Sequence, residues 1–206
     1  MPKGQRTETL TLEAIVDESE RIARTRGVDG LTMRAVAAGL GVTPMAIYYY
    51  VPGKEDLLRL VVGRVSESFG LLHRDGDQSW QEALRGYLLN IWESFRRYPG
   101  LSSYLINQPA LGVTPDRLEA GIGFFVEAGF PPEAARLAWS FATTYVHGRI
   151  SVDAHLGRNA DTHHFDGLRA RDYVTFGVDA VVSGLESMLA DPALSARRAA
   201  AASSSR

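Results

Sequence analysis

The spacing of apolar residues, interrupted by glycine and proline, constrains the fold of this chain more than any other feature. From residue 12 onward the apolar positions recur at helical spacing, and glycine and proline divide these stretches into segments. No stretch shows the alternation of apolar and polar residues that a half-buried strand between hairpin turns would have. The sequence therefore predicts an all-α protein whose helices are separated by short turns.

Residues 12–51 contain three predicted helices, of which the second and third are short and separated by a glycine turn. Thr32 and Thr43 precede these two helices as N-caps, and Gly41 stands between them. Pro44 occupies the first position of the third helix, where its missing N–H would have no partner. This is the spacing of a helix-turn-helix, in which the second short helix is offered to the DNA major groove. The three helices are predicted over residues 12–26, 33–40 and 45–51.

The rest of the chain consists of longer amphipathic stretches, which predict a helical body behind this head. Residues 157–171 form a polar connection, and the alanine- and serine-rich end predicts a disordered tail. The predicted organisation is therefore a helix-turn-helix DNA-binding head over 1–60, a ligand-binding and dimerisation body over 61–190 and a tail over 191–206. The remaining helices are predicted over 54–69, 80–98, 101–107, 115–129, 132–156 and 172–189.

Composition narrows the class of protein without identifying it. The absence of cysteine excludes disulfides, thiolate metal clusters and a cysteine nucleophile. No apolar run is long enough for a signal peptide or a spanning helix, so a cytoplasmic protein without membrane association is predicted. No nucleophile, base and orienting acid stand at a recognisable spacing, and we expect no enzyme. The formal net charge of -2 excludes a uniformly basic nucleic-acid coat protein, so DNA binding has to be argued from pattern.

The third predicted helix carries three consecutive tyrosines. Ile47 and Val51 lie one helical turn apart and can anchor this helix to the core. Three adjacent tyrosines on a short helix cannot all be buried, so the residues predicted to face solvent are Met45, Ala46, Tyr48 and Tyr49. Phenolic hydroxyls suit phosphate oxygens, aromatic rings can touch thymine methyl groups, and helix starts favour phosphate. The pattern therefore predicts a helix that contacts DNA.

Four segments of the head agree with a known family in the order and spacing of glycine, tyrosine and lysine. They read Gly30-Leu31-Thr32-Met33-Arg34, Gly41-Val42-Thr43, Ile47-Tyr48-Tyr49-Tyr50-Val51 and Lys54-Glu55-Asp56-Leu57-Leu58. Over about residues 10–60 they resemble the DNA-binding head of TetR-type transcriptional regulators. The resemblance implies that Arg34 reads a base and that Met45 and Tyr48 face bases or sugar. The residues that it implies as phosphate contacts are Thr32, Thr43, Tyr49, Tyr50 and Lys54.

The same residues also have a plainer interpretation. Arg34 is then a solvated charge, Lys54 a surface lysine, and the tyrosines a core cluster against the first helix. Position 50, moreover, is often histidine in the family, and tyrosine keeps a polar tip there but changes its reach.

A weaker resemblance covers the body. The segments Ser79-Trp80-Gln81, Gln108-Pro109, Gly129-Phe130 and Phe176-Gly177 with Gly184-Leu185-Glu186 are similar to parts of the ligand-binding core of the tetracycline repressors. By position, a cavity between helices is predicted with an apolar wall and a few polar groups. Its predicted lining residues are Tyr87, Ile91, Tyr104, Gln108, Arg117, Trp139 and His147. An alternative interpretation makes the aromatic residues of these helices ordinary core, namely Trp92, Phe95, Trp139 and Phe141.

No metal and no cofactor are predicted for this cavity. Tetracycline repressors use histidines to help hold a magnesium–drug chelate, and the corresponding positions here are Gly70 and Tyr104, neither of which binds a metal as imidazole does. His163 and His164 lie with nearby aspartates in the polar connection, without ligand spacing on a helix. A small apolar or amphipathic effector is therefore expected, with a preference for uncharged, ring-containing or bulky molecules.

The last two long stretches, Leu137 to Val152 and Tyr173 to Leu189, remain apolar over more than one face. Small residues within them, such as Gly148, Gly177 and Gly184, would permit close helix approach. The resemblance implies that these helices pair with their symmetry mates in a four-helix bundle, giving a homodimer that binds near-palindromic double-stranded operator DNA. Burial within one monomer is the alternative.

These patterns predict a ligand-responsive transcriptional regulator, specifically a repressor that its effector releases from operator DNA. Two other classes stay open. One is a helical small-molecule-binding protein or enzyme with a vestigial DNA-binding head, which turnover of a ligand would favour. The other is a DNA-binding protein without an effector, which a ligand-induced shift in melting temperature would exclude.

Overall fold

The structure is a computed structural model that describes residues 10–107, 114–155 and 168–191. Within these ranges the chain forms nine helices and no strand, which confirms the all-α prediction. Most of the predicted polar connection and all but the first residue of the predicted tail lie outside the described residues. The helices are α1 (Leu12–Gly30), α2 (Met33–Leu40), α3 (Pro44–Tyr50), α4 (Lys54–Glu67), α5 (Trp80–Phe95), α6 (Leu101–Asn107), α7 (Pro115–Glu127), α8 (Pro132–His155) and α9 (Ala170–Ala190).

Threonine side chains define where the two short helices of the head begin. The hydroxyls of Thr32 and Thr43 each accept a hydrogen bond from the backbone N–H three residues further on, at 3.1 and 3.4 Å. Gly41 ends α2 in the left-handed conformation, with φ of 68°. The structure thus confirms that the two short helices begin after Thr32 and Thr43 and that Gly41 forms the turn between them.

The first helix changes direction at Gly27, where the sequence predicts its end. Gly27 has φ of 71° and ψ of 178°, so the regular helix stops before it and the turn up to Gly30 is a separate piece. A Cβ atom at Gly27 would lie 3.0 Å from the carbonyl oxygen of Pro99, and the N–H of Val28 donates to that same oxygen at 3.0 Å. The head and the body therefore touch at this bend.

The end of α5 provides a second contact with the head. The helix ends at Phe95, three residues before the predicted end at Tyr98. Tyr98 precedes Pro99, and a residue in that position is disfavoured in helical conformation. The Tyr98 hydroxyl donates a hydrogen bond to Oε1 of Glu20 in α1 at 2.8 Å. Burial and this neighbouring carboxylate raise the pKa of Tyr98 to about 12, so the hydroxyl keeps its proton at neutral pH.

Helix α4 joins the head and the body as one continuous element. Its Leu57 and Leu58 are fully buried, and the helix packs against α1 on the head side and against α5 on the body side. The predicted domain boundary between residues 60 and 61 lies inside this helix. A displacement of the C-terminal end of α4 would therefore reach the head along a single helix.

Three helices form the centre of the body. Helices α5, α8 and α9 pack against one another, while α6 and α7 both pack against α8. Phe95 of α5 and Phe125 of α7 are fully buried in this core. In the described ranges, no helix combines the length and the apolar character that crossing a membrane requires.

Candidate nucleic-acid interface and internal cavity

Helix α3 buries one side chain, Ile47, in the core of the head, and most of its other side chains are exposed. Ile47 is fully buried, and Val51 directly after the helix is 1% exposed. In contrast, Met45 is 76% and Tyr49 is 87% exposed, and Tyr48 is about half exposed. Large apolar and aromatic side chains in solvent are unusual on a monomer surface and mark interaction sites when they cluster. The predicted contact face of α3 is thus open.

The two predicted cationic contacts lie on the neighbouring helices. Arg34 of α2 is exposed and Lys54 at the start of α4 is half-buried. In the part of the chain that the structure describes, neither side chain forms a salt bridge, whereas Arg59 and Arg64 of α4 are both paired with carboxylates. Arg34 and Lys54 therefore keep their charge available for an anionic partner.

The capping threonines and the last tyrosine of α3 differ in what they can offer a phosphate. Thr32 and Thr43 are exposed and use their oxygen atoms as acceptors, so each hydroxyl proton can still be donated. The Tyr50 hydroxyl instead donates to the carbonyl oxygen of Leu10 at 2.7 Å. In this conformation Tyr50 ties α3 to the residue just before α1, and its proton is not free for phosphate. The ring is 40% exposed, so it does not form the core cluster of the plainer interpretation.

A cavity of about 350 Å³, partly open to solvent, lies in the body, where α4, α5, α6, α7 and α8 come together. Pockets of this volume accommodate small organic ligands. Aromatic rings dominate the wall: Tyr87 and Trp139 lie 6.0 Å apart between ring centroids, and Phe69 meets Tyr87 edge-on at 5.7 Å. The lining residues are Ser66, Phe69, Tyr87, Ile91, Phe95, Leu105, Ile106, Arg117, Trp139, Thr143, Thr144 and His147.

The cavity brings together five of the seven residues that the sequence predicts for it. They are Tyr87, Ile91, Arg117, Trp139 and His147. Tyr104 does not belong to the lining; it is half-buried against the core from α6. Gln108 lies outside the described residues. Ser66 at the end of α4 and Phe69 just after it were not predicted, because their contact with Arg117 joins segments about fifty residues apart.

The polar rim of the cavity includes a buried histidine. His147 lies 3.2 Å from the Ser102 hydroxyl through Nδ1 and meets the Phe95 ring edge-on. Burial lowers the pKa of His147 to about 4, so the imidazole is neutral at pH 7. It can therefore donate or accept one hydrogen bond to a ligand without contributing charge.

Because unfolded histidine titrates near pH 6.5, the low pKa of His147 predicts acid sensitivity of the fold. Below that pH the unfolded chain binds a proton that the folded chain refuses, so the free energy of unfolding falls as the pH drops from 6.5 towards 4. This one group should cost up to about 3 kcal/mol at pH 4. Urea unfolding of wild type and of His147→Gln between pH 7 and pH 4 measures it. The variant should lose less stability than wild type, and parallel curves would contradict the assignment.

The described residues contain no group of carboxylate and histidine side chains that could hold a metal ion. Gly70 follows α4 in the left-handed conformation, with φ of 67°. As a glycine it has no side chain that could bind a metal at the position that the sequence comparison aligned with a histidine of the tetracycline repressors. His163 and His164 lie outside the described residues.

Helices α8 and α9 expose large apolar side chains away from the core. Phe141 of α8 is 57% and Phe176 of α9 is 78% exposed, and Leu137 of α8 is also in solvent. The interpretation of Phe141 as ordinary core is therefore wrong, although Trp92, Phe95 and Trp139 are buried as it predicts. Within the described chain these apolar faces have no covering element, which is the pattern of a surface that needs a partner.

The small residues of α8 and α9 have different roles. A Cβ atom at Gly177 would lie 1.7 Å from the Tyr145 hydroxyl, so this glycine permits close packing of α8 and α9 within one chain. Gly148 and Gly184, in contrast, have no atom within 4 Å of a built Cβ. Gly184 is also exposed and lies on the free side of α9.

Known proteins with similar sequences are bacterial transcriptional regulators. Residues 15–61 match the sequence model of the family described as bacterial regulatory proteins, tetR family. The chain is 39% identical over 104 residues to the HTH-type transcriptional repressor DrrR1 of Streptomyces coeruleorubidus, covering 50% of this chain and 38% of that protein. It is 27% identical over 143 residues to the tetracycline repressor protein class D of Escherichia coli, covering 68% of this chain and 65% of that protein. The matched regions thus span less than two thirds of these relatives.

Solved structures share the fold over most of the chain. A TetR protein of Acinetobacter baumannii AYE in complex with minocycline superposes with a TM-score of 0.72 at 22% identity, covering 87% of this chain and 98% of that one. BioQ with its double-stranded DNA operator gives a TM-score of 0.68 at 21% identity, covering 85% and 98%. ActR of Streptomyces coelicolor in complex with (S)-DNPA gives 0.69 at 19% identity, covering 86% and 98%.

Proposed function

Because this chain belongs to the tetR family of bacterial regulatory proteins, we propose that it is a ligand-responsive transcriptional repressor. The observation that carries the proposal is the combination of an open helix α3 in a helix-turn-helix with a separate cavity in the body. Curated relatives bear the name of transcriptional repressor, and one structural neighbour was solved with its DNA operator and another with minocycline. The protein would act in the cytoplasm, where its DNA is.

Helix α3 would enter the major groove of the operator. Met45 and Tyr48 would face bases or sugar, and Arg34 from the start of α2 would read a base edge. The exposure of these three side chains supports this assignment. The groups that would bind phosphates are Thr32, Thr43, Tyr49, Tyr50 and Lys54; of these, Tyr50 would first have to release Leu10, because a backbone phosphate only accepts hydrogen bonds.

The effector would be a small apolar or amphipathic molecule bound among the aromatic rings of the cavity. The cavity is lined by α4, which is continuous with the head. A ligand that prefers one position of α4 and an operator that prefers another would oppose each other, and the coupling would be reciprocal. The head over residues 1–60 and the body over 61–190 would thus communicate through the helix that crosses their boundary.

The active form would be a homodimer that pairs the exposed faces of α8 and α9 with those of a second copy. Phe141 and Phe176 would then be covered, and the open space at Gly184 would be filled by a partner helix. A two-fold dimer presents two heads to the two halves of a near-palindromic operator.

Two substitutions in the head should separate base reading from phosphate binding. Arg34→Ala should weaken binding to a selected operator duplex by about 1–3 kcal/mol and leave binding to random duplex DNA nearly unchanged, since it removes a base contact. Lys54→Ala should weaken binding to both duplexes alike and make the affinity less dependent on salt. Fluorescence anisotropy at several salt concentrations measures both effects.

Arg85→Ala is the control for that comparison, because Arg85 lies on α5 in the body, paired with Asp179. It should leave both DNA affinities unchanged. Equal losses on the two duplexes from Arg34→Ala and from Lys54→Ala would show that their roles are assigned wrongly. Absence of DNA binding by the wild-type protein at low salt would refute the proposed function itself.

A further inference from the structure

Arg117 connects the cavity to the end of the helix that carries the head. It lies in the first turn of α7, and its guanidinium reaches across to the C-terminal end of α4. Nη2 donates to the carbonyl oxygen of Ser66 at 2.6 Å and Nη1 donates to that of Gly70 at 2.7 Å. Carbonyl groups at a helix C-terminus lack the regular hydrogen-bond partner of the helix interior and carry partial negative charge. A hydrogen bond from a cationic side chain to these carbonyl groups is therefore favourable. Arg117 thus fastens α4 to α7.

The same guanidinium forms part of the cavity wall. It lies over the Phe69 ring, 4.9 Å from its centroid, and it is close enough to Tyr87 to oppose the rise in the pKa of that hydroxyl caused by burial. Among the described lining residues there is no aspartate or glutamate. Since His147 is neutral at pH 7, Arg117 carries the formal charge of the described wall.

An arginine with two neutral carbonyl oxygens as partners can be drawn away by an anion. A hydrogen bond between guanidinium and carboxylate is charge-assisted and about twice as strong as one to a neutral acceptor. Most of the remaining wall is aromatic and apolar, and its polar groups, such as Thr143 and His147, are neutral. Such a wall fits a ring system and disfavours a second charge. The shape and the charge together favour a ligand with an apolar ring body and one acidic group.

We propose that Arg117 binds the acidic group of an aromatic acid and, in doing so, releases the C-terminal end of α4. This inference rests on the proposed function and names the ligand class and the regulatory contact of its cavity. It changes the expectation of an uncharged effector that the sequence supports, because the guanidinium lies in the wall itself. With Ser66 and Gly70 released, α4 is free to shift, and the head shifts with it through the buried Leu57 and Leu58.

A matched pair of probes tests the charge requirement. Anthracene-2-carboxylate and anthracene-2-carboxamide have the same ring body and nearly the same shape, and only the first is an anion at pH 7. Calorimetric titration of the wild-type protein should give at least about tenfold tighter binding of the carboxylate. Arg117→Met should abolish this preference while the carboxamide affinity changes little. Arg85→Met, which removes an arginine outside the cavity, should retain the preference.

Hydrogen exchange of the backbone amides between Ser66 and Gly70 tests the release of α4. These amides should exchange faster in ligand-free Arg117→Met than in wild type. The carboxylate probe should raise their exchange in wild type towards the level of that variant, and the carboxamide should not. A merely structural role of Arg117 would change exchange in the variant but would give no difference between the two probes in wild type.

Two results overturn the inference, and neither requires the variant to fold. One is equal binding, or no binding, of the two probes by wild-type protein. The other is unchanged exchange between Ser66 and Gly70 when the carboxylate binds. Neither measurement uses DNA, so wild-type protein that binds operator but fails them retains the proposed function and loses only this inference. Protein that shows both effects but binds no DNA would lose the proposed function and retain the ligand class and the release of α4.

Discussion

We expect Gly184→Glu to convert the protein from a dimer to a monomer and to abolish tight operator binding. A side chain at Gly184 meets no atom of its own chain, so the monomer should accommodate glutamate without a clash. In the proposed dimer the same carboxylate would be buried against a partner helix, where an unpaired charge is costly. With one head instead of two linked heads, affinity for the operator should fall by at least about 100-fold. Sedimentation velocity and operator binding measure the two effects.

Gly86→Glu is the matched control for this change. Gly86 is an exposed helical glycine on α5 with no atom within 4 Å of a built Cβ, so it receives the same charge and the same change in helix propensity. It should remain a dimer and bind the operator as wild type does. A dimeric Gly184→Glu protein would place the interface elsewhere on the molecule.

The second large effect is expected in the body, where Arg149→Met should lower the free energy of unfolding by about 3–5 kcal/mol. Arg149 and Asp153 form a salt bridge between largely buried side chains of α8, and Nε of Arg149 lies 2.9 Å from Oδ1 of Asp153. The Trp92 indole of α5 donates to Oδ2 of the same carboxylate at 3.1 Å. Loss of the guanidinium removes the cation that this buried carboxylate meets within α8. Urea unfolding followed by circular dichroism gives the value.

The double variant Arg149→Met with Asp153→Asn distinguishes a buried charge from a general loss of packing. Removing both charges should recover part of the stability, because the amide carries no charge and its oxygen can still accept the hydrogen bond from Trp92. A single-variant loss below about 1 kcal/mol, the range of exposed ion pairs, would show that water reaches Asp153.

The head could be predicted from the sequence because its signals are local. Thr32, Thr43, Pro44 and Gly41 each act on their own turn of the chain, and the structure confirms the helix starts and the turn that they predict. The exposure of α3 follows from the same local pattern, since a helix of two turns with one buried residue leaves the others in solvent. The hydrogen bond of Tyr50 could not be predicted in this way, because its partner Leu10 is distant in sequence.

The cavity was only partly predictable, because its walls depend on contacts between distant segments. Tyr87, Trp139 and His147 could be identified from their places on long helices. The contact of Arg117 with Ser66 and Gly70 could not, since about fifty residues separate the partners and no local pattern records it. The alternative interpretation of Phe141 as core failed for a related reason, since helical spacing alone does not distinguish a core face from an exposed apolar face.

The most direct test of this account is footprinting of the purified protein on the DNA upstream of its own gene. The account predicts a protected near-palindromic site whose two half-sites lie about one helical turn, or a multiple of it, apart. The protection should weaken steeply as the salt concentration rises, because several side chains displace counterions from phosphates. Protection that does not depend on salt, or uniform cleavage of this DNA at every protein concentration in low salt, would contradict the assignment of the head as a DNA-binding domain.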